Sequence, residues 1–350
     1  MVEIDPDITR ASTLPSKYYT DPVIFESLLN QFKATWNYVG HTSQYEENTI
    51  LPININREPM VVTKSGGKFS CLSNVCTHRG MILQSEKECK KTLTCPYHGR
   101  TFSLDGMLKQ MPEFESTEDF PSEKDNLEHF NIEFWNQLIF ASQAPGTPLS
   151  DCMKEVTERM NFLRLHELRY DSSRERNYTI GANWALYVDN YLEGFHIPFV
   201  HKDLNNALEY SQYETELFDG GVLQIGIAQE GVPFFEIPDG HKDSGKKIAA
   251  YYWWIYPNIM LNFYPWGLSL NIVKPLSVDK TEICYFGFIL DEQLLGQGAG
   301  GDLDKVELED QFIVESCQLG MKSSSYQRGR YSPTMERGVH HFHRILASRM

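Results

Sequence analysis

The chain has 350 residues, 41% of them apolar, and a formal net charge of −15 at pH 7. That length can bury the core of two ordinary domains or one large one, while the acidic balance argues against nucleic acid, because phosphate binding needs clustered Lys and Arg. No run approaches the ~18 uninterrupted apolar residues of a membrane helix, and the acidic start MVEIDPDITR lacks the basic and apolar regions of a signal peptide. We therefore expect a cytoplasmic protein with neither a nucleic-acid nor a membrane partner.

The N-terminal half predicts a helical segment followed by a β domain. Apolar residues recur at helical spacing over 20–36, and we expect residues 1–37 to form a helical segment that packs on the C-terminal domain. From 38 to 150 the sequence changes to short apolar runs separated by turn sequences such as NREP, SGGK and LDGM, which is typical of a small all-β domain. The stretch QAPGTPL (143–149) has the Pro and Gly content of a linker.

Residues 151–350 predict a domain that mixes strands and helices. The segment 248–276 has the apolar and aromatic runs of two or three strands, and 281–290 has those of another. Helices are predicted near 183–195 and 303–320, the second after a glycine-rich loop. The chain is therefore predicted to be an α+β protein, with an all-β domain followed by an α+β domain.

Two of the seven cysteines lie close to a histidine, in CTHRG and CPYHGR, which supply Cys76, His78, Cys95 and His98. Two sulfurs and two nitrogens could bind zinc, but zinc fingers usually pair Cys with Cys and His with His along the chain. Here each stretch supplies one of each, so one iron can take both thiolates and a second iron both imidazoles. That is the ligand set of a Rieske [2Fe–2S] centre, which we favour over zinc.

A second candidate metal site lies in NWALYVDNYLEGFHIPFVHKDL, where His196 and His201 are five residues apart. On an unbroken helix five residues turn through about 500°, so the two rings would not share a face. Pro198 lies between them and is predicted to end the helix, which would let both imidazoles converge on one ion. Without a third ligand, two separate histidines at a helix end would be the simpler interpretation.

The predicted helix LDKVELEDQFIVESCQLG supplies a candidate third ligand. Its predicted apolar stripe consists of Leu303, Val306, Ile313, Val314 and Cys317. Asp310 falls on that stripe, and a core-facing carboxylate is costly unless a metal or hydrogen bonds compensate it. Glu309 is the nearest rival. Two His and one carboxylate form the facial triad of non-haem Fe(II) oxygenases, which leaves coordination positions for O2 and substrate.

These motifs resemble those of the Rieske non-haem iron oxygenase α-subunits, of the ring-hydroxylating dioxygenase type. The resemblance rests on CTHRG with CPYHGRTFSLDG, on EGFH-x4-H and on the acidic pair of ELEDQ, and it spans nearly the whole chain. VDNYLEGFHIPFVHKDL and the ending ESCQLG…GRYSP…HHFH are most similar to the choline and carnitine monooxygenase branch. The resemblance implies an N-terminal Rieske domain and a C-terminal helix-grip catalytic domain, an antiparallel sheet with a long helix. It assigns Cys76 and Cys95 to one cluster iron, and His78 and His98 to the other.

The resemblance also assigns roles around the second metal. It implies that His196, His201 and Asp310 bind a mononuclear Fe(II). Glu193 takes the place of the acidic residue that connects the Rieske centre of one subunit to the mononuclear iron of its neighbour. Many family members have Asp there, so Glu193 is a departure that keeps the carboxylate. Asn190, one helical turn before Glu193, is a weaker candidate for the surroundings of the iron.

The implied reaction uses O2 and two electrons to hydroxylate a small organic substrate, to N-demethylate or cleave it oxidatively, or to add two hydroxyls to a ring. No G-x-G-x-x-G nucleotide fingerprint follows a predicted strand. The electrons are therefore expected from a separate NAD(P)H-dependent reductase, with or without a ferredoxin. By resemblance, the chain is expected to form a head-to-tail homotrimer, whose interfaces are heterologous.

The sequence says least about the substrate. YYWWIY (251–256) and FYPW (263–266) could supply a cation–π cage for a quaternary ammonium group, although ordinary core packing is the favoured interpretation for most of these residues. The acidic balance and the branch resemblance favour a choline-, carnitine- or betaine-type compound. An aromatic ring-hydroxylating dioxygenase is the alternative. A Rieske electron carrier without oxygenase activity and a zinc-stabilised binding protein are the remaining possibilities.

Overall fold

The computed structural model describes residues 2–349, which divide into two compact units. The smaller unit is Phe32–Asp151, and the larger one comprises the described residues on either side of it. Within residues 2–349, no helix is both long enough and apolar enough to cross a membrane.

Antiparallel strands make up the smaller unit. In chain order they are β1 Asn37–His41, β2 Thr49–Ile55, β3 Glu58–Ser65, β4 Lys68–Ser73, β5 Glu88–Cys89, β6 Thr92–Thr94, β7 Thr101–Ser103, β8 Leu108–Gln110, β9 His129–Trp135 and β10 Leu138–Ser142. One seven-stranded sheet has the order β1-β10-β9-β4-β3-β2-β5, and a three-stranded sheet has the order β6-β7-β8. The first Cys-His stretch follows β4, and the second connects β6 to β7.

Two-residue turns set the register of the hairpins in this unit. Asn56 and Arg57 join β2 to β3 with φ values of 52° and 70°, and Gly66 and Gly67 join β3 to β4 with 58° and 73°. Positive φ at both central residues is the requirement of a type I′ turn, whose twist matches that of the flanking strands. The hairpins therefore fix the position of β4 in the sheet, and with it the point at which the first Cys-His stretch leaves the sheet.

The larger unit is a seven-stranded antiparallel sheet with helices. The helices of residues 2–349 are α1 Lys17–Thr20, α2 Pro22–Gln31, α3 Leu149–Cys152, α4 Lys154–Arg159, α5 Trp184–Tyr191, α6 Ile197–Val200, α7 Lys202–Ala207, α8 Leu303–Met321 and α9 Arg337–Ser348. The strands are β11 Arg169–Ile180, β12 Glu214–Phe218, β13 Gly221–Ile227, β14 Ile248–Ile255, β15 Ile259–Tyr264, β16 Gly267–Ser277 and β17 Lys280–Ile289. Their order is β11-β17-β16-β15-β14-β13-β12.

The sheet of the larger unit is a meander from β12 to β17, with β11 added beside β17. Every residue of β13, β14 and β15 is buried, so both faces at the centre of the sheet are covered. The predicted fold class is confirmed, since a β unit is combined with an antiparallel sheet and the long helix α8. The first predicted helix, near 183–195, ends earlier, at Tyr191.

Buried polar side chains fix the helices that carry the site. Asn183 caps α5, its side chain accepting from the Ala185 amide at 2.9 Å. Gln318 of α8 accepts from the Asn183 amide at 2.8 Å and donates to the Tyr19 carbonyl at 3.2 Å. One buried amide side chain therefore joins α8 to the start of α5 and to α1.

A buried histidine holds the other side of α5. His343 of α9 is 1% exposed, and its Nε2 lies 2.7 Å from Asp189 Oδ1. The hydroxyl of Tyr331 lies 2.6 Å from His343 Nδ1, and that of Tyr19 donates to Asp189 at 2.7 Å. Because α5 is held by α8, α9 and the N-terminal segment, the residues that follow it start from a fixed position.

The close packing of α9 on the end of α5 gives a test of this arrangement. A Cβ atom added at Gly338 would lie 2.3 Å from the carbonyl oxygen of Leu192. Gly338→Ala is therefore expected to lower the free energy of unfolding by about 2 kcal/mol, because backbone atoms must move apart. Denaturant titration measures the loss. Gly320→Ala in α8 is the matched control, since nothing lies within 4 Å of that position, and helix propensity predicts a small gain there. Equal stability of the two variants would contradict the close packing.

Candidate active site

The two Cys-His stretches form loops with the same hydrogen-bond pattern. The amides of Cys76 and Cys95 each donate to the carbonyl five residues on, at 2.8 and 2.7 Å. The amides of Gly80 and Gly99 donate back to these cysteines' carbonyls, at 2.9 and 3.1 Å. Both glycines have φ near +75°, at 72° and 76°, a conformation that favours glycine. The chain therefore presents one cysteine and one histidine from each of two matched turns.

The four side chains of these loops converge. Cys76 and Cys95 are each 2% exposed, and burial raises the pKa of the Cys76 thiol, as does the neighbouring Cys95 thiol. The rings of His78 and His98 lie 4.8 Å apart between centroids, and His98 is exposed. Buried sulfurs beside outward imidazoles form a donor set that fits a two-iron cluster with a thiolate end and an imidazole end.

Three residues of the larger unit offer ligand atoms within 4.8 Å of one another: His196, His201 and Asp310. His201 Nε2 lies 3.0 Å from Asp310 Oδ1, and His196 Nε2 lies 3.6 Å from the same oxygen. The two histidines occupy the two ends of the single-turn helix α6, as its N-cap and C-cap. The prediction that Pro198 ends a helix was wrong. The chain leaves α5 at Tyr191, and Pro198 lies in the first turn of α6, where its missing N–H costs nothing.

Carboxylates hold the remaining ring nitrogen of each histidine. His196 Nδ1 lies 2.7 Å from Glu193 Oε1, and the His196 amide donates to the other oxygen of Glu193 at 3.0 Å. His201 Nδ1 lies 2.7 Å from Glu309 Oε2. Both Nε2 atoms are thereby turned towards Asp310, the arrangement in which a second carboxylate orients a metal-binding imidazole. Burial alone would lower the pKa of His201, but its hydrogen bonds to Asp310 and Glu309 outweigh burial and raise it.

Asn190 also belongs to this cluster. Its Nδ2 donates to Asp310 Oδ1 at 2.7 Å, so the structure places the weaker sequence candidate directly on the carboxylate. Asn190 reaches it from α5, whereas Asp310 lies on α8. The two helices that carry the site are therefore joined at the site itself.

The apolar stripe predicted for α8 is confirmed except at Cys317, because Val314 is buried, Leu303 packs against a core cluster, and Val306 and Ile313 are half-buried. The buried side chains of this helix are Glu307, Val314 and Gln318, and Cys317 is exposed. The large apolar side chains outside that stripe are exposed, Leu308 by 58%, Phe312 by 70% and Leu319 by 73%. The inward face of α8 therefore combines the apolar stripe with the buried polar side chains Glu307 and Gln318.

Glu307 is a buried carboxyl that the sequence did not single out. It is 1% exposed and accepts from the hydroxyl of Tyr187 at 2.5 Å and from that of Tyr285. Burial raises its pKa to about 7. The signal in the sequence was its place one helical turn before Asp310, on the same face of α8.

A cavity of about 100 Å³ opens directly onto the metal-ligand cluster. Its lining includes both histidines, Asp310, Asn190 and Glu193. Six tyrosines line it: Tyr187, Tyr191, Tyr213, Tyr252, Tyr264 and Tyr285. None of the described residues that line it is Lys or Arg. The cavity is therefore aromatic and acidic.

Strand alternation selected which aromatic residues reach the cavity. Of the residues in the two aromatic stretches, Tyr252 and Tyr264 line the cavity. Tyr252 of β14 is paired with Asn262 of β15, and Tyr264 lies two residues further along β15, so all three side chains lie on one face of the sheet. Trp253 points to the opposite face and is packed there against Phe218. The preference for core packing of most of these aromatics therefore agrees with the structure. The sequence missed four further tyrosines of the cavity: Tyr187, Tyr191, Tyr213 and Tyr285.

Comparison with known proteins identifies the family. The Rieske [2Fe-2S] domain matches residues 35–121, and the ring hydroxylating alpha subunit (catalytic domain) matches residues 165–350. The chain belongs to the Rieske ring-hydroxylating oxygenase α-subunit family. The resemblance seen in the sequence is thereby confirmed, and with it the class of enzyme, an oxygenase. The two domains of this Rieske oxygenase imply a [2Fe–2S] cluster and a mononuclear iron.

The relatives of this Rieske oxygenase include terminal oxygenase components that act on quaternary ammonium compounds. Choline monooxygenase, chloroplastic, from Arabidopsis thaliana is 31% identical, covering 99% of this chain and 85% of its own. The carnitine monooxygenase oxygenase subunit of Escherichia coli (strain K12) is 29% identical, covering 97% and 94%. A quaternary ammonium Rieske monooxygenase, whose structure bears on carnitine oxidation and inter-subunit electron transfer, is 25% identical with a TM-score of 0.82, covering 99% and 96%.

The raised pKa of Glu307 has a consequence for stability. Between the ordinary pKa of 4.5 and about 7, the unfolded chain ionises this carboxyl while the folded chain keeps it protonated. Stability is therefore lost as the pH rises through this window, by roughly 3 kcal/mol at most. Glu307→Gln is expected to remove that loss, as measured by denaturant titration at several pH values. Glu315→Gln on the same helix is the control and should follow the wild type. Parallel curves for wild type and Glu307→Gln would contradict the raised pKa.

Proposed function

We propose that this Rieske oxygenase uses O2 and reductase-supplied electrons to oxidise a small quaternary ammonium compound, by hydroxylation or by oxidative N-demethylation or cleavage. The observation that carries the proposal is the tyrosine-lined, acidic cavity directly against the cluster of His196, His201 and Asp310. The choline and carnitine monooxygenases among its relatives support the same substrate class.

The two donor sets fit the two metal groups of the family. The cluster would be held by Cys76, His78, Cys95 and His98, and the mononuclear iron by His196, His201 and Asp310. When bound, these groups supply one-electron transfer and O2 activation. The protein residues keep the geometry ready, because Glu193 and Glu309 hold the Nδ1 atoms of the two histidines and so leave each Nε2 free to act as a ligand.

A quaternary ammonium group has no N–H to donate, so a site must hold it through aromatic faces and negative charge. Burial raises the pKa of all six cavity tyrosines above their ordinary value of 10. The phenols are therefore neutral at pH 7 and offer their ring faces. Glu193, which is not among the proposed iron ligands, adds negative charge to the lining of the cavity. The small volume, about 100 Å³, suits a compound of a few heavy atoms.

The rest of the substrate is proposed to be uncharged. Among the described residues no Lys or Arg lines the cavity to pair with a carboxylate. Gln224 lines the cavity and is 1% exposed, and its Oε1 atom has no hydrogen-bond partner among the described residues. A buried acceptor of this kind is satisfied by a hydroxyl donor. These features favour an alcohol such as choline over a carboxylate such as carnitine.

Glu193 is proposed to connect the metal sites of neighbouring subunits. Both of its oxygens bind His196, and Phe199, in the one-turn helix that follows His196, is 78% exposed. In the smaller unit, Tyr97 next to His98 is 58% exposed. Exposed aromatics at both places support docking of the cluster-bearing face of one copy on the Glu193 face of the next. A head-to-tail homotrimer would close such an interface. An NAD(P)H-dependent reductase, with or without a ferredoxin, would supply the electrons.

The substrate is tested by O2 consumption with a reductase, comparing choline, carnitine and benzoate. Choline is expected to support the highest rate at low concentration. Tyr264→Leu should raise the KM for choline about tenfold, because a buried cation–π contact is lost, while Tyr264→Phe keeps the ring and should remain close to wild type. Preferential turnover of benzoate would favour an aromatic-ring dioxygenase. If none of the three compounds is turned over, the result would favour an electron carrier without oxygenase activity.

The role of Glu193 is tested separately from metal binding. Purified protein should hold about three irons per chain, two of them in the cluster, and Asp310→Ala should lose about one. With excess Fe(II), which offsets the weaker orientation of His196, Glu193→Ala should keep all of them and lose turnover, because its carboxylate lies on the proposed path and is not itself a ligand. Glu193→Asp, which retains a carboxylate, should keep part of the rate. Full activity of Glu193→Ala would remove the connecting role.

A further inference from the structure

A buried guanidinium links the two loops of the candidate cluster site. Arg100 follows directly on the second loop, and it is 2% exposed. Its Nη1 donates to Thr77 Oγ1 at 2.8 Å, and Thr77 lies in the first loop between Cys76 and His78. The charge of Arg100 is therefore held beside the ligands from both stretches.

The surroundings of this charge are largely apolar. The guanidinium lies over the rings of Phe114 and Phe120, at 5.6 and 5.3 Å from their centroids. Phe114 in turn packs edge-on against His78, with 5.4 Å between centroids. The Nε atom of Arg100 is buried and has no hydrogen-bond partner within residues 2–349. A buried charge with an unmet donor is costly to the fold.

One carboxylate faces the guanidinium. Asp125 Oδ1 lies 3.4 Å from Arg100 Nη1, and the Asp125 carbonyl accepts from Thr77 Oγ1 at 2.7 Å. The other oxygen of Asp125 is occupied by the amide and hydroxyl of Ser122, at 2.8 and 3.0 Å. The long contact and the shared carboxylate leave the positive charge of Arg100 only partly compensated.

We propose that Arg100 is a positioning residue whose fixed charge raises the reduction potential of the Rieske cluster, and that Asp125 moderates this effect. Reduction adds one negative charge to the cluster, and a nearby cation in a medium of low dielectric stabilises the reduced form more than the oxidised one. The contact with Thr77 holds that charge at a constant distance. This inference rests on the proposed assignment of the cluster to Cys76, His78, Cys95 and His98.

The experiment is a redox titration of the cluster in the full-length holoprotein, followed by circular dichroism and electron paramagnetic resonance. Arg100→Met, which removes the charge at similar length, should weaken electron affinity about tenfold, a fall of about 59 mV for a one-electron couple. Arg100→Lys keeps the charge and should stay close to wild type. Asp125→Asn removes the compensating charge and should shift the potential in the opposite direction, upwards.

Shifts of opposite sign distinguish a charge effect from a structural effect. If the two substitutions only loosened the contact between Arg100 and Asp125, both would move the reduction potential in the same direction. An unchanged potential in Arg100→Met, or a fall in both Arg100→Met and Asp125→Asn, overturns the inference. If Arg100→Met does not assemble a cluster, Asp125→Asn decides, and the absence of a rise there overturns it as well. Wild-type protein without a Rieske signal would instead overturn the proposed function.

Discussion

The larger unit depends on one electrostatic constraint, the convergence of three carboxylates on two imidazoles. Glu193, Glu309 and Asp310 surround His196 and His201 within hydrogen-bond distance. Like charges brought this close raise the free energy of the fold unless cations or donors intervene. The histidines stand between the carboxylates, and a bound divalent cation would compensate them further. Both α5 and α8 must be held firmly to keep such a cluster together.

The polar interior of the unit follows from that requirement. Gln318 and His343 make buried hydrogen bonds to two residues of the α5 segment, Asn183 and Asp189. Glu307 of α8 accepts a hydrogen bond from Tyr187 of α5. Directional contacts of this kind fix the rotation of a helix about its axis, which apolar packing alone does less strictly. Glu307 and Gln318 are accordingly buried on α8, while Phe312 and Leu319 of the same helix are exposed.

The sequence predicted those parts of the site whose residues lie close together along the chain. The pairs Cys76 with His78 and Cys95 with His98 lie in turns of five residues, so their spacing alone nearly determines their geometry. His196 and His201 were brought together as expected, although through a one-turn helix between them rather than through a helix ended by proline. The all-β and α+β division was also visible, because strand and helix periodicities differ over long stretches.

The parts that the sequence did not predict depend on partners far along the chain. Glu307 is buried because Tyr187 and Tyr285 reach it from α5 and β17, and no periodicity within α8 reports those two hydroxyls. Gln318 is buried for the same reason, since its partners Asn183 and Tyr19 lie far along the chain. Tyr213 enters the cavity from a connecting segment, and its aromatic neighbours there come from other elements. Sequence spacing cannot show which rings share a cavity when each comes from a different element.

The two candidate metal sites differ in the sign of the charge that is placed beside them. Beside the Cys-His loops the buried charge is the cation Arg100, with a single shared carboxylate opposite it. Around His196 and His201 the charges are carboxylates, and among the described residues the adjoining cavity has no Lys or Arg in its lining. A low-dielectric surrounding strengthens both effects. The first arrangement would favour added negative charge and the second a cation, as the proposed roles in electron transfer and in quaternary ammonium binding require.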